Sequence, residues 1–169
     1  MRFPKPSFDA LVLNFDTRPE SVHDCPFIYR KNPVSINTCA IRMSEALALA
    51  NGLVESREAL AALTDKAGNG KRQLLGKFGY LANLCPHGMA RGARDLADFL
   101  RQQWGTPSLA WSGRKETTPP EEVMGQTGLV AFIKLPTYVG QGHIDLWNAT
   151  STVGHDHWDA LKVYFWKMI

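Results

Sequence analysis

Two residues far apart in the chain carry side chains that can act together as nucleophile and base. Cys39 lies in Asn37-Thr38-Cys39-Ala40-Ile41-Arg42-Met43-Ser44, and His143 lies in Gly142-His143-Ile144-Asp145-Leu146-Trp147-Asn148. A cysteine is a strong nucleophile as its thiolate. An imidazole within reach can accept the proton and later deliver it to a leaving group. The chemistry such a pair supports is acyl transfer through a thioacyl intermediate. A third polar group is needed to orient the imidazole, and two carboxylates qualify. Asp145 is two residues beyond His143 and shares its face if the segment is a strand. Asp156 lies in the Ser151 to Asp159 loop, which can fold back over the histidine. The residues alone leave that choice open. A plainer reading also stands beside the chemical one: a cysteine at a helix start is commonly a small core residue, and a single strand histidine is commonly structural.

The remaining histidines are His23, His87, His155 and His157, and none of them heads a patterned strand. His23-x-Cys25 and Cys85-x-His87 are spaced too tightly for the usual zinc patterns, so neither a metal nor a cofactor is expected. Cys25 and Cys85 each precede a proline, whereas Cys39 does not. With three cysteines, the expected arrangement is a Cys25–Cys85 disulfide that leaves Cys39 as the thiol.

The elements that must position Cys39 and His143 can be read from periodicity. Asn37 and Thr38 are helix-capping types. After them Ala40, Met43, Leu47 and Ala50 recur at helical spacing, which predicts a helix from about Thr38 to Ala50 ended by Asn51-Gly52. The position of Cys39 in its first turn favours negative charge there. Ser7 can cap an earlier helix with Phe8, Leu11, Val12 and Phe15 inward. A short helix is expected around Glu58 to Lys66, and a turn at Gly68-Asn69-Gly70. A strongly amphipathic helix is expected from Gly92 to Trp104, with Ala93, Leu96, Ala97, Leu100 and Trp104 on one face. Thr17 to Pro33 reads as a loop, and Ser112 to Gln126 as a polar loop that can serve as lid or rim. From Gly128 the pattern changes to three strands: Leu129 to Leu135, His143 to Trp147, and Leu161 to Met168. Helices followed by strands predict an α+β fold, in which N-terminal helices including the cysteine helix pack on a C-terminal antiparallel sheet.

The chain has 169 residues, 44% of them hydrophobic and 21% charged, with a net charge of +3. These values fit one folded domain over 1–169. The charge is too small and too scattered to suggest nucleic-acid binding. No apolar run is long enough for membrane insertion, and the start, Met1-Arg2-Phe3-Pro4-Lys5-Pro6, lacks the apolar stretch of a signal peptide.

The cysteine and histidine motifs together resemble those of the fourth family of type VI secretion amidase effectors. Lys5-Pro6-Ser7-Phe8 and Arg91-Gly92-Ala93-Arg94-Asp95-Leu96-Ala97-Asp98-Phe99-Leu100 resemble that family's start and middle helix, in the same order. The resemblance implies a papain-like, NlpC/P60-type fold. It also implies a cysteine peptidoglycan amidase, a DL-endopeptidase cutting the γ-D-glutamyl–meso-diaminopimelate bond of stem peptides. The partners it implies are peptidoglycan, a cognate immunity protein and a type VI delivery component, with action in the periplasm of the target cell. Carried over by residue, Cys39 is the nucleophile and His143 the base and acid. Asp156 is the third member, with Asp145 as its alternative. At the helix start the Cys39 N–H can help hold an oxyanion, and the Asn37 side chain is a further candidate donor.

Overall fold

The computed structural model of the protein describes residues 1–17, 38–63, 74–80, 83–85 and 87–169. The Gly68-Asn69-Gly70 turn, His23, Cys25, Asn37 and all but the first residue of the Thr17 to Pro33 loop fall outside these residues. The described residues form helices α1 (Phe8–Asn14), α2 (Cys39–Ala50), α3 (Arg57–Ala61) and α4 (Ala93–Trp104). They also form strands β1 (Leu109–Ser112), β2 (Thr127–Ile133), β3 (His143–Asn148) and β4 (Lys162–Lys167). The strands make one antiparallel sheet in the order β1-β4-β2-β3. Among the described residues, no helix is long and apolar enough to cross a membrane.

The α+β architecture expected from the pattern is the one observed. Ser7 caps α1, its hydroxyl accepting from the Ala10 N–H at 3.2 Å. Phe8 and Leu11 point into the core, whereas Val12 is exposed. Helix α2 begins at Cys39, but Thr38 does not cap it through its side chain. The Thr38 hydroxyl instead accepts from Arg42 Nε at 3.0 Å. Of the expected stripe, Ala40, Met43 and Leu47 are fully buried and Ala50 is half-buried. Ile41 and Ala48 are buried too, because they meet a second cluster formed with Leu60, Leu74, Cys85 and Met89. The helix is thus covered on more sides than a single apolar stripe suggests.

Burial on two sides also encloses Glu45. Its carboxylate pairs with Arg57, whose other nitrogen donates to the Asn14 carbonyl, so α1, α2 and α3 share one polar junction. Burial pushes the Glu45 carboxyl up to about 7, against the pull of Arg57.

The sheet is covered on both faces. Leu129, Ala131, Ile133, Ile144 and Leu146 pack towards the helices. Val130, Phe132, Trp147, Val163 and Phe165 pack on the other side with Val123 and Trp158. Two-sided burial explains why β2 reads as a continuous apolar run. The stretch expected as a lid or rim is tied down at Val123, which is buried and whose carbonyl accepts from the Trp147 indole at 2.8 Å. β1 ends at Ser112, where that stretch begins, and has no sequence signal, since four residues pairing along one side of β4 give little periodicity.

Candidate active site

His143 opens β3 and pairs in register with Phe132 of β2. Its ring lies nearly parallel to that of Phe132, with centroids 6.4 Å apart, and the ring of His157 meets it edge-on at 5.4 Å. The approach to His143 is fixed from two directions. Gly142 has φ +112, and a Cβ there would lie 2.0 Å from the Phe132 carbonyl oxygen. Gln141 clips onto α4: its Oε1 accepts from the Asp95 N–H at 3.0 Å, and its Nε2 donates to Asp95 Oδ2 at 2.8 Å. Gly92 leaves room for that side chain, since a Cβ would fall 1.9 Å from Gln141 Oε1. A Gly142→Ala substitution is therefore expected to lower stability by about 2–4 kcal/mol through the clash and the left-handed backbone. Thermal unfolding measures that loss, and displacement of His143 adds a fall in activity.

Asp145 is 1% exposed and uses both carboxylate oxygens. Oδ2 lies 3.0 Å from His143 Nε2 and accepts from the N–H groups of Gly154 (3.0 Å) and His155 (2.9 Å). Oδ1 accepts from the Leu146 N–H at 2.7 Å. The loop after β3 does fold back towards the histidine, as its position suggested. What it delivers is backbone N–H groups to Asp145. Asp156 is exposed, and its charge acts on His157. Of the two carboxylates left open by the sequence, Asp145 is the one whose oxygen meets His143, while Asp156, preferred through the resemblance, stands away in solvent.

Cys39, the first residue of α2, is 8% exposed and hydrogen-bonded through its thiol to His143. With Nε2 engaged by Asp145, Nδ1 is the ring nitrogen left for a proton exchanged with the sulfur. Burial works to lower the pKa of His143. The hydrogen bonds and charges of Asp145 and Cys39 outweigh it and push His143 up to about 9. The imidazolium therefore persists at neutral pH, as a positive charge beside the sulfur. His157 moves the other way, lowered by burial and by the charge of His143, so the two rings do not both carry charge near neutrality.

The arrangement joins a thiol at a helix start, an imidazole held in one orientation, and a buried carboxylate that fixes it. These are the parts needed for nucleophilic acyl transfer. His157 and the Gln141–Asp95 clip were not among the expected site residues. Both depend on contacts between segments whose local patterns give no sign of each other. Cys25, the partner expected for Cys85, is outside the described residues. Among the described residues, no group of three or more His, Cys, Asp or Glu side chains is arranged to hold a metal ion.

The model of the family described as type VI secretion system (T6SS), amidase effector protein 4, Tae4, matches residues 36–166. That range takes in both Cys39 and His143. The fold is also similar to solved structures. The crystal structure of the type VI effector Tae4 from Enterobacter cloacae aligns over 100% of both chains, with TM-score 0.65 and 16% identity. The Tae4 of the Tae4–Tai4 effector–immunity complex from Salmonella Typhimurium aligns over 98% of this chain and 100% of its own, with TM-score 0.62 and 20% identity. No curated protein matches the chain by sequence. The identities to the solved structures are low enough that they speak for the fold alone, which is papain-like and of the NlpC/P60 type, and it is the family match over most of the chain that decides membership: the protein belongs to the Tae4 family of type VI secretion amidase effectors.

Proposed function

We propose that this amidase effector hydrolyses the γ-D-glutamyl–meso-diaminopimelate bond of peptidoglycan stem peptides, with Cys39 as nucleophile, His143 as proton carrier and Asp145 as the orienting carboxylate. The observation that carries the catalytic assignment is the unbroken hydrogen-bonded series from the Cys39 thiol through His143 to Asp145 Oδ2. The substrate assignment rests on family membership. In the first step His143 holds the proton taken from Cys39, and the sulfur attacks the amide carbonyl carbon. His143 then protonates the departing amine, leaving a thioacyl-enzyme. A water, activated by the now neutral imidazole, releases the acid product. The Cys39 N–H at the start of α2 is suited to hold the developing oxyanion, aided by the helix dipole.

The protein would act in the periplasm of a target cell after delivery by the secretion system, and a producing cell would need an immunity protein. The solved Tae4–Tai4 complexes of relatives support that partner. The direct test digests purified sacculi with the protein and identifies the fragments by mass spectrometry. The expected product carries a new free amine on diaminopimelate; fragments opened at another bond would reassign the specificity.

Because the leaving amine takes its proton from His143, the rate is expected to fall about tenfold per pH unit above a limb near pH 9. The stability linkage has the same direction. A histidine held above its ordinary 6.5 stabilises the fold fully below that value, and the contribution is lost as pH rises through about 9. An initial-rate profile from pH 6 to 10 reads the limb, and an alkaline limb near 7 would contradict the assignment.

A further inference from the structure

His157 touches the candidate catalytic imidazole and has no part in the proton path described above. It lies in the loop between β3 and β4, and that loop is fastened on both sides of it. Before His157, the N–H groups of Gly154 and His155 donate to Asp145 Oδ2. After it, the fully buried Trp158 ring packs edge-on against Phe132 at 5.1 Å, Trp147 at 5.2 Å and Trp111 at 6.2 Å. The Trp158 carbonyl accepts from Arg114 Nε at 3.2 Å, and the His157 carbonyl accepts from the Ala160 N–H at 2.9 Å. These contacts of its neighbours meet most of the entropic cost of ordering His157. The segment that supplies N–H groups to the carboxylate therefore also carries a second ring to the histidine.

The His157, His143 and Phe132 rings form a closed triangle. Their centroids are 5.4 Å apart for His157 and His143, 5.9 Å for His157 and Phe132, and 6.4 Å for Phe132 and His143. The planes of Phe132 and His143 differ by 8°, and His157 stands at 78° to His143 and 80° to Phe132. Edge-on and offset parallel contacts of this kind are the ones aromatic rings prefer. Asp145 holds one ring nitrogen of His143. A single hydrogen bond leaves a ring free to swing about it, and the two ring contacts remove that freedom. A charge on His157 would oppose the one on His143. Burial, His143 and His155 hold the His157 pKa down, against Asp156 and Asp159, which raise it. The half-buried ring beside the imidazolium is thus neutral near pH 7.

We propose that His157 is a positioning residue of the amidase: its ring, together with Phe132, locks the His143 imidazole in the orientation that meets Asp145 and Cys39 at once. This inference rests on the functional reading above. His157 acts through His143 and takes no proton from Cys39. The site requires its shape and its neutrality, so an uncharged aromatic ring of similar size can serve in its place.

The test compares His157→Ala with His157→Phe in the full chain, by steady-state kinetics on a purified tetrapeptide muropeptide. His157→Ala is expected to lower kcat about 10- to 100-fold, because a small misplacement of a catalytic group is costly, and to hold KM within about twofold. His157→Phe is expected to restore kcat to within about threefold of the wild type. His157→Gln keeps much of the volume without the ring; it should lose as much as His157→Ala and stands in for it if that variant does not fold. Proton NMR gives a readout independent of turnover. The His143 Nε2–H that donates to Asp145 should give a sharp downfield resonance in the wild type and in His157→Phe. In His157→Ala or His157→Gln it should broaden or vanish through exchange with water. A wild-type kcat in the ringless variants, a rise in KM at unchanged kcat, or a His157→Phe as slow as they are would overturn the positioning role and leave the amidase reading in place. Failure of the wild type to cleave the muropeptide would overturn both.

Discussion

Replacing Cys39 by alanine is expected to lower the rate of amide hydrolysis by about 10⁴- to 10⁶-fold while leaving the fold intact. Groups that act as one catalytic unit give losses of that size when the nucleophile is removed, because neither the base nor the orienting carboxylate can substitute for it. The structural cost is small. Cys39 is a small, nearly buried first residue of α2, and alanine is well tolerated in a helix. Thermal unfolding should therefore stay close to that of the wild type, and release of free amine from sacculi should fall to background. A Cys39→Ala protein that gives the same digest as the wild type would mean that the residue is only part of the core. This was the plainer reading open to the sequence.

The second large effect separates the two carboxylates. Asp145→Asn is expected to reduce kcat about 10³- to 10⁴-fold, whereas Asp156→Ala should stay within about threefold of wild type. The argument is geometric. Asp145 Oδ2 faces His143 Nε2, and an amide in its place cannot support the imidazolium as a carboxylate does. The same oxygen accepts from Gly154 and His155, so the asparagine variant should also lose about 1–3 kcal/mol of stability. A readout beyond stability distinguishes orientation from simple damage. Removing the charge of Asp145 removes one of the influences that raise His143 and weakens the hydrogen bond that is another, so the alkaline limb of the residual activity should move towards lower pH. The opposite ranking of the two variants would return the orienting role to Asp156.

The sequence shows what is local and hides what is relational. The start of α2 at Cys39, the amphipathic run of α4 and the apolar run of β2 each follow from neighbouring residues, and the α+β architecture follows from their order. The histidine could be placed because Gly142 and the strand pattern after it form a local signal. The carboxylate that meets it could not, since that turns on which groups the 151–159 loop presents after folding back. That loop contributes the N–H groups of Gly154 and His155, and backbone donors leave no side-chain signature. Glu45 is similar. A glutamate in a helix reads as solvent-facing until Arg57, twelve residues on, is seen to cover it. The Gln141–Asp95 clip spans 46 residues, so it has no local period to betray it.

The central claim, that Cys39 and His143 form a working thiolate–imidazolium pair, is tested most directly by the rate of iodoacetamide alkylation at Cys39 as a function of pH, followed by peptide mass spectrometry. Alkylation reports the thiolate, which is scarce in an ordinary cysteine near pH 7. The account predicts that wild-type Cys39 is alkylated at pH 7 well above the rate of a simple model thiol. It also predicts that in His143→Ala the rate falls to the model thiol's value or below and rises steeply only under alkaline conditions. A wild-type Cys39 that reacts no faster than the model thiol at pH 7, with His143→Ala following the same curve, would contradict it.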